Sequence, residues 1–300
     1  MILSKQREIG GSCSNSSPHG IPASVSQPGI HDHLALERDK TISDFGDQWT
    51  RHQKNTGRYA SLEQFEDIVA PFLSRTDFQH QRCADIGSGT GRIVRMLIDA
   101  GAEHVTAIEP SRAYDVLVLN TADVSDRVTC LNLRGDELPP KDYGVVVSIG
   151  VIHHIPDPKP VLEAAFRGLK PDGTLLIWVY GHEGSQLYRS IFLPVRMITR
   201  RLPVLINEAI AAIIYPVTVA YGRLTALIPF LPLRRYMQEV YLRFDPPVRR
   251  LVILDQINPQ WAKYYDREEI ETLVRSVGFV DVRLHHRHGY SWTVIGRKPE

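Results

Sequence analysis

Asp85, the run Gly87-Ser88-Gly89-Thr90-Gly91 and Glu109 form one arrangement with chemical meaning. Glycines let a backbone turn sharply from strand into helix and approach a ligand closely, and an acid ending the next strand can accept both hydroxyls of a ribose. Glu109 follows Asp85 by 24 positions, and the layout is that of a nucleoside site. The glycine spacing is G-x-G-x-G, whereas the dinucleotide fingerprint is G-x-G-x-x-G with a helix N-terminus facing a pyrophosphate. Asp85, two residues before the first glycine, disfavours that anion and favours a ligand bearing an ammonium or a sulfonium. Two chemistries compete for such a loop: hydride transfer with a nicotinamide dinucleotide, and methyl transfer from S-adenosylmethionine.

These residues need particular elements around them. Arg82–Ile86 reads as a strand entering the glycine loop, Arg92 to about Ala100 as a helix with Ile93, Val94, Leu97 and Ile98 on one face, and His104–Ile108 as a second strand ending at Glu109. Tyr143–Ile149 and Thr174–Tyr180 continue the alternation that makes a parallel sheet covered by helices. Asp266 and Glu269 have capping-box spacing ahead of the stripe Ile270, Leu273, Val274 and Val277, which Gly278 ends. Val280, Val282 and Leu284 then alternate with Asp281, Arg283 and His285 as a strand, with 290–297 as its hairpin partner. Cys83 and Cys130 fall on strands with another between them, too far apart to bridge.

In this order the motifs resemble those of the class I S-adenosylmethionine-dependent methyltransferases. The segment CADIGSGTGR has the form of the family's first motif. Glu109-Pro110-Ser111 is similar to its ribose-binding strand end, and Gly135-Asp136-Glu137-Leu138-Pro139 to the loop that flanks adenine. Gly150-Val151-Ile152-His153-His154-Ile155 resembles the segment after its fourth strand, and Leu169-Lys170-Pro171-Asp172-Gly173 the turn before its fifth. Asp172 stands where the family usually has glycine, and aspartate tolerates left-handed geometry. The resemblance implies an α/β fold: a Rossmann-like, mostly parallel seven-stranded sheet with an antiparallel final strand, here with a helical insertion. It implies S-adenosylmethionine as cofactor, held by Asp85, Gly87, Ser88, Gly89, Gly91, Glu109, Asp136, Glu137 and Ser148.

Ligands in such sheets bind beyond the carboxyl ends of the strands. His153 and His154 follow the fourth strand, and histidine titrates near neutrality, so one of them is expected to orient or deprotonate the methyl acceptor; the alternative is that they only hydrogen-bond the following loop. Arg287, His288 and Tyr290 are expected to line the acceptor pocket, with ordinary edge-strand solvation as the alternative. No metal site is expected: in the run His285-His286-Arg287-His288, alternation puts His285 opposite His286 and His288. Upstream, Asp44-Phe45-Gly46-Asp47-Gln48-Trp49 resembles an entry segment ahead of the first motif in some methyltransferases, so Trp49 and Tyr59 either cover the substrates or cap the core. A helix is expected from Ser61 to about Leu73.

The chain of 300 residues carries 35 Lys plus Arg against 34 Asp plus Glu, a net +1, so no global field attracts nucleic acid. Three scattered cysteines point to a reducing compartment. The expected organisation is a disordered leader over 1–40, a cofactor-binding core over 41–182, a helical insertion over 183–262 and the returning core over 263–300. The insertion holds ten Arg, no Lys and five acids, +5 against −4 elsewhere. On a helical wheel Leu187, Ile191, Val195, Ile198 and Leu202 fall within roughly 80° of one another with Arg189, Arg196 and Arg200 opposite, a basic amphipathic helix if Pro194 kinks rather than ends it. The uncharged run Ala209–Gly222 is shorter than a bilayer requires, so no membrane span is expected. The insertion is expected to be a lid over the acceptor or a homodimer interface, with contact to an anionic membrane surface as the next reading. The expectation is a cytoplasmic enzyme, peripheral to the membrane under that next reading, that methylates a small-molecule or lipid-linked acceptor and does not bind nucleic acid. A catalytically silent methyltransferase-like binder and an NAD(P)-dependent oxidoreductase are the alternatives.

Overall fold

A computed structural model describes residues 28–300. Seven strands make one sheet: β1 (Arg82–Ile86), β2 (His104–Ile108), β3 (Val128–Leu131), β4 (Tyr143–Ile149), β5 (Leu169–Tyr180), β6 (Val280–Arg287) and β7 (Ser291–Arg297). Their order is β3-β2-β1-β4-β5-β7-β6. The first five are mutually parallel, and β7 runs antiparallel to both β5 and β6, as the sequence predicts.

Both faces of the sheet are covered, which is why its central strands read as nearly continuous apolar runs. Ala84, Ile86, Val146 and Ile177 pack with Val161, Leu162 and Ala165 of α5 (Lys159–Gly168) and with Ile270 and Val274 of α10 (Arg267–Ser276). On the other face Cys83, Val105, Val145 and Leu176 meet Ile93, Val94 and Leu97 of α3 (Arg92–Asp99) and Phe65, Ile68 and Val69 of α2 (Leu62–Val69). Helix α1 (Pro28–Arg51) precedes these, and α4 (Tyr114–Asn120) follows β2.

Several boundaries differ from expectation. Residues 28–40, expected to belong to a disordered leader, are helical and belong to α1; residues 1–27 of that segment lie outside the described residues. Helix α2 stops at Val69 because Pro71 disfavours helical geometry in the residue before it. Strand β5 begins at Leu169, and its pairing with β4 jumps from Tyr143–Leu169 to Val145–Thr174 around the Lys170–Gly173 turn. Asp172 adopts φ 63° there and pairs with Arg297 at 2.7 Å.

The insertion is α6 (Gln186–Thr199), α7 (Val204–Leu227), α8 (Arg234–Glu239) and α9 (Pro246–Ile257). Pro194 sits inside α6 without ending it. The helix is amphipathic, but Arg196 turns inward together with Phe192 and Val195, and part of the expected apolar stripe turns outward. Arg196 is 5% exposed and donates from Nε to the Gln256 carbonyl at 2.6 Å, while Ile191 and Ile198 are 55% and 68% exposed. The arginine has acceptors and the Tyr264 ring to meet inside, so its charge is compensated there. Helix α7 is similar: Asn207, Ala211, Gly222 and Thr225 are buried and Leu205, Ile213, Val217 and Leu227 are exposed. With 24 residues it is long and apolar enough to cross a membrane by length and composition, contrary to the sequence expectation, because Glu208 and Arg223 sit near its ends.

Candidate active site

The glycine loop leaves β1 for α3 and is tied to the end of β2. The amides of Gly87 and Ser88 both donate to the Ile108 carbonyl, each at 2.9 Å. Gly87 holds φ 79°, and a Cβ on it would lie 2.5 Å from Val151, so no other residue fits this approach of the β1 and β4 loops. Gly91 has φ 85° and opens α3, where a Cβ would meet Leu117 at 3.0 Å; it closes the loop onto α4 and does not line the cavity. Glu109 locks the loop from β2: Oε2 accepts from the Gly89 amide at 2.8 Å and Oε1 from the Ser111 amide at 2.9 Å. Each oxygen keeps a second lone pair, and the carboxylate lies on the wall of a cavity of about 270 Å³.

Gly87, Ser88, Gly89, Glu109 and Asp136 line that cavity. The remaining residues expected to hold the cofactor stand behind its wall. Ser148 is 1% exposed and donates to the Ile86 carbonyl at 3.1 Å, tying β4 to β1. Glu137 accepts the Arg134 amide at 2.9 Å and closes the turn, while Arg134 holds Asp136 at 3.0 and 3.1 Å. Asp85 is 1% exposed, with Oδ2 buried and unpartnered. Burial pushes its carboxyl up to about 7. An orphaned acid behind the loop, a side-chain-free cradle at Gly87 and Gly89 and the open lone pairs of Glu109 together fit a ligand with a cationic end and a ribose.

The two histidines after β4 separate. His153 is wholly buried, its ring 3.8 Å from the Tyr180 ring centre and 4.2 Å from that of His154, with neither nitrogen partnered. It is not on the cavity wall and cannot reach an acceptor, which corrects its expected role. His154 does line the cavity, with Nδ1 2.8 Å from the Trp261 carbonyl. A carbonyl only accepts, so Nδ1 carries the hydrogen and Nε2 the lone pair. Burial drives the His154 pKa down to about 3, against a smaller upward pull from that carbonyl.

Trp49 and Tyr59 stand on the cavity wall and also pack against residues of the insertion. Arg287 and Tyr290 line the cavity as well. Arg287, 2% exposed, donates from Nε to the Asp67 carbonyl at 3.0 Å, from Nη1 to the Tyr290 hydroxyl at 2.8 Å, and from Nη2 to the Asp67 carboxylate. His288 is a correction. At φ 47° it turns away from the cavity and sits between Asp67 at 2.9 Å and Glu239 at 2.7 Å, two acids that hold it.

Sequence reasoning missed residues of the insertion and of β5. Asp255 and Gln256 of α9, Tyr236 of α8, and Trp178 and Tyr180 of β5 all line the cavity. Asp255 carried a usable signal, as a lone acid within the apolar stretch Leu251–Ile257. Tyr180, Tyr236, Tyr290, Val252 and Gln256 are shared with a second chamber of about 80 Å³, completed by Tyr188, Phe192, Tyr241 and Tyr264 among others. The insertion therefore builds an aromatic annex onto the nucleoside cleft.

Comparison with known proteins agrees with this architecture. A family model described as "Methyltransferase domain" matches residues 56–284. The chain belongs to that family, and its sheet is that of the class I S-adenosylmethionine-dependent methyltransferases. The donor of that class is S-adenosylmethionine. Over 178 residues the chain is 22% identical to a ubiquinone biosynthesis O-methyltransferase from Hydrogenovibrio crunogenus, covering 57% of this chain and 70% of that protein. Two other relatives so described are covered over only 57% and 59% of their length. A tRNA U34 carboxymethyltransferase from Shewanella is 29% identical over 124 residues, 40% of this chain and 37% of that one. Among solved structures, magnesium protoporphyrin IX methyltransferase from Synechocystis, determined with S-adenosylhomocysteine, superposes with a TM-score of 0.52 at 14% identity over 88% of this chain and 99% of that one.

Proposed function

We propose that this chain transfers the methyl group of S-adenosylmethionine to a small-molecule acceptor with an apolar body, free or lipid-linked. One observation carries the reading: the cleft walled by the glycine loop and Glu109 continues into the aromatic annex built by the insertion. Glu109 would take the ribose, Gly87, Ser88 and Gly89 would admit the ligand backbone, Asp136 would border the base, and Asp85 would stabilise the cationic end from behind the loop. When bound, the donor supplies an electrophilic methyl on a sulfonium. Positioning and exclusion of water supply much of the remaining rate, and the buried aromatic wall suits both. The relatives named for ubiquinone biosynthesis agree with an apolar acceptor, and the short match to the tRNA-modifying enzyme covers only part of the core.

Calorimetric titration tests the cofactor. S-adenosylmethionine is expected to bind, with Glu109→Ala at least about tenfold weaker through loss of charge-assisted hydrogen bonds. Binding of NADH in its place would overturn the reading in favour of an oxidoreductase. Cofactor binding without turnover on quinols, lipids or sugars would favour the silent binder.

A second observation favours contact with an anionic membrane surface. Ile191, Met197, Ile198, Leu205, Ile213, Val217, Leu227 and Phe230 are exposed on the insertion, which also exposes Arg201, Arg223, Arg234 and Arg235. Exposed apolar side chains and arginines on one segment match the chemistry of an anionic lipid surface. Flotation at low salt with liposomes containing anionic lipid is expected to retain the protein, and neutral liposomes to retain less. Absence of retention would overturn this docking, and a dimer in sedimentation would then identify a second copy as the occupant.

A further inference from the structure

Asp255 has no role in cofactor binding as read above, yet it is held with unusual care. Its Oδ1 accepts from Gln48 Nε2. Gln48 Oε1 accepts from Asn258 Nδ2 at 3.1 Å, and Asn258 Oδ1 accepts from Asn207 Nδ2 at 3.1 Å. Asn207 Nδ2 also donates to the Thr199 carbonyl at 3.1 Å. Gln48 and Asn207 are fully buried and Asn258 is 5% exposed. In this chain of amides every orientation is determined: Asn258 must present nitrogen to Gln48, so Gln48 must present nitrogen to Asp255. The chain links α7, α9 and α1 and ends on a carboxylate at the cavity wall. Burying such a network costs desolvation, which the hydrogen bonds along it offset at every amide atom but Asn207 Oδ1, which has no partner among the described residues.

The carboxylate is left free to act. No donor reaches Oδ2 among the described residues, and Asp255 forms no ion pair there. Arg92, the cation whose charge reaches it, is engaged with Tyr59: the guanidinium lies 4.1 Å from the ring centre and Nη1 donates to the Tyr59 carbonyl at 3.2 Å. The next residue, Gln256, lines both the cleft and the annex, and its Nε2 donates to the Tyr180 hydroxyl at 2.7 Å. Asp255 therefore lines the cleft next to a residue that borders both chambers.

We propose that Asp255 is the proton acceptor of the methyl transfer and that the acceptor is a phenolic hydroxyl compound whose apolar body occupies the aromatic annex. This rests on the methyltransferase reading above. The acceptor oxygen bonds to the methyl carbon as the carbon–sulfur bond breaks, and the electron pair of that bond stays on sulfur. The phenolic proton passes to Asp255 Oδ2 and leaves later to solvent, so the positive charge of the sulfonium departs as that proton. Glu109 and Asp136 are read as cofactor residues, and of the other two proton-accepting groups on the wall, His154 is held down at about 3 by burial and Asp255 is raised to about 7. A base near the working pH is the better proton acceptor. The groups around Asp255 are Gln48 of α1, Arg92 of α3, Tyr59 ahead of α2 and Tyr180 of β5.

The test uses the full chain saturated with S-adenosylhomocysteine and two probes, 4-hexylphenol and its methyl ether, followed by fluorescence of Trp49 and Trp178 on the cavity wall. Above the Asp255 pKa the phenol is expected to bind about tenfold tighter than the ether, the value of one hydrogen bond to a charged group. The preference is expected to fade as pH drops through about 7, where the carboxylate protonates. Asp255→Asn should abolish the preference and its pH dependence while S-adenosylhomocysteine affinity is retained. Equal binding of the two probes by the wild type, or binding of neither, would overturn the proposal without any substitution. So would an undiminished preference in Asp255→Asn, or a tenfold loss of S-adenosylhomocysteine affinity, which would make Asp255 a cofactor ligand. Failure of S-adenosylhomocysteine to bind the wild type would instead remove the methyltransferase reading itself.

Discussion

Helices α3 and α7 obey opposite rules within one chain. In α3 the side chains of Ile93, Val94, Met96, Leu97 and Ile98 are all buried against the sheet. In α7 the buried residues are Asn207, Ala211, Gly222 and Thr225; Ile210, Ile214 and Tyr215 pack half-buried against α9, while Leu205, Ile206, Ile213, Val217, Leu224 and Leu227 are exposed. The sheet supplies α3 with a broad apolar surface, so burying Leu97 removes it from water. The insertion supplies α7 with amides and carbonyls: Asn258 for Asn207, and a Gln238 amide that donates to Thr225 Oγ1 at 2.8 Å. The first pattern builds a core. The second holds a polar network in place and leaves part of its apolar surface exposed.

The two regions are joined by the Asp67, Arg287, His288 and Glu239 cluster, which bridges α2, the end of β6 and α8. Removing Asp67 is the largest single disruption expected. Asp67→Ala strands Arg287, 2% exposed, as a buried unpaired cation, at a cost of about 3–5 kcal/mol. Denaturant melts check it. Burial alone would raise the Asp67 pKa, but hydrogen bonds from His288 and Arg287 and their charges outweigh it and bring the group to about 2. A depressed acid stabilises the fold above its unfolded pKa, so this contribution should be lost as pH falls from about 4 to about 2 and should be missing in Asp67→Ala.

The contrast between the helices can be measured directly. Leu97→Ala in α3 should cost about 2–5 kcal/mol by opening a cavity. Asn207→Ala in α7 should cost about 1–3 kcal/mol, because Asn258 Oδ1 loses its donor. If Asn207→Ala were neutral, the polar chain would have no structural weight and the comparison would fail.

Asp255 gives a smaller, pH-dependent effect. Its folded pKa of about 7 lies above its ordinary 3.8, so the folded state binds more protons than the unfolded state between those values. Stability attributable to this group is therefore present at low pH and lost as pH rises through about 7. Asp255→Asn should melt above the wild type near pH 8, with the difference shrinking toward pH 4. The smallest effect is expected at Ile213, 73% exposed on α7. Ile213→Ser should change stability by less than about 0.5 kcal/mol, while reducing retention on anionic liposomes.

Much of the core was legible because its information is local. The limits of β1, β2 and β4 agree with their apolar runs, and the glycine loop and Glu109 meet as their spacing requires. The histidines were less legible: adjacency in sequence puts His153 and His154 on different sides of a turn, and only His154 reaches the cavity. His288 was drawn off by Asp67 and Glu239, which lie 221 and 49 positions away in the chain. No local pattern reports such partners.

Periodicity and turn chemistry by themselves determined a parallel sheet, a nucleoside loop and an amphipathic α6, since each depends on neighbours a few residues apart. Which face of α6 and α7 turns inward was decided only in the tertiary structure. An amphipathic pattern says that two faces differ, and the inward one depends on what lies opposite. Here buried carbonyls, amides and the Tyr264 ring await Arg196 and Asn207, so these polar groups turn inside beside Phe192, Val195, Ile210 and Ile214, while Ile191, Ile198, Ile213 and Val217 are left on the surface.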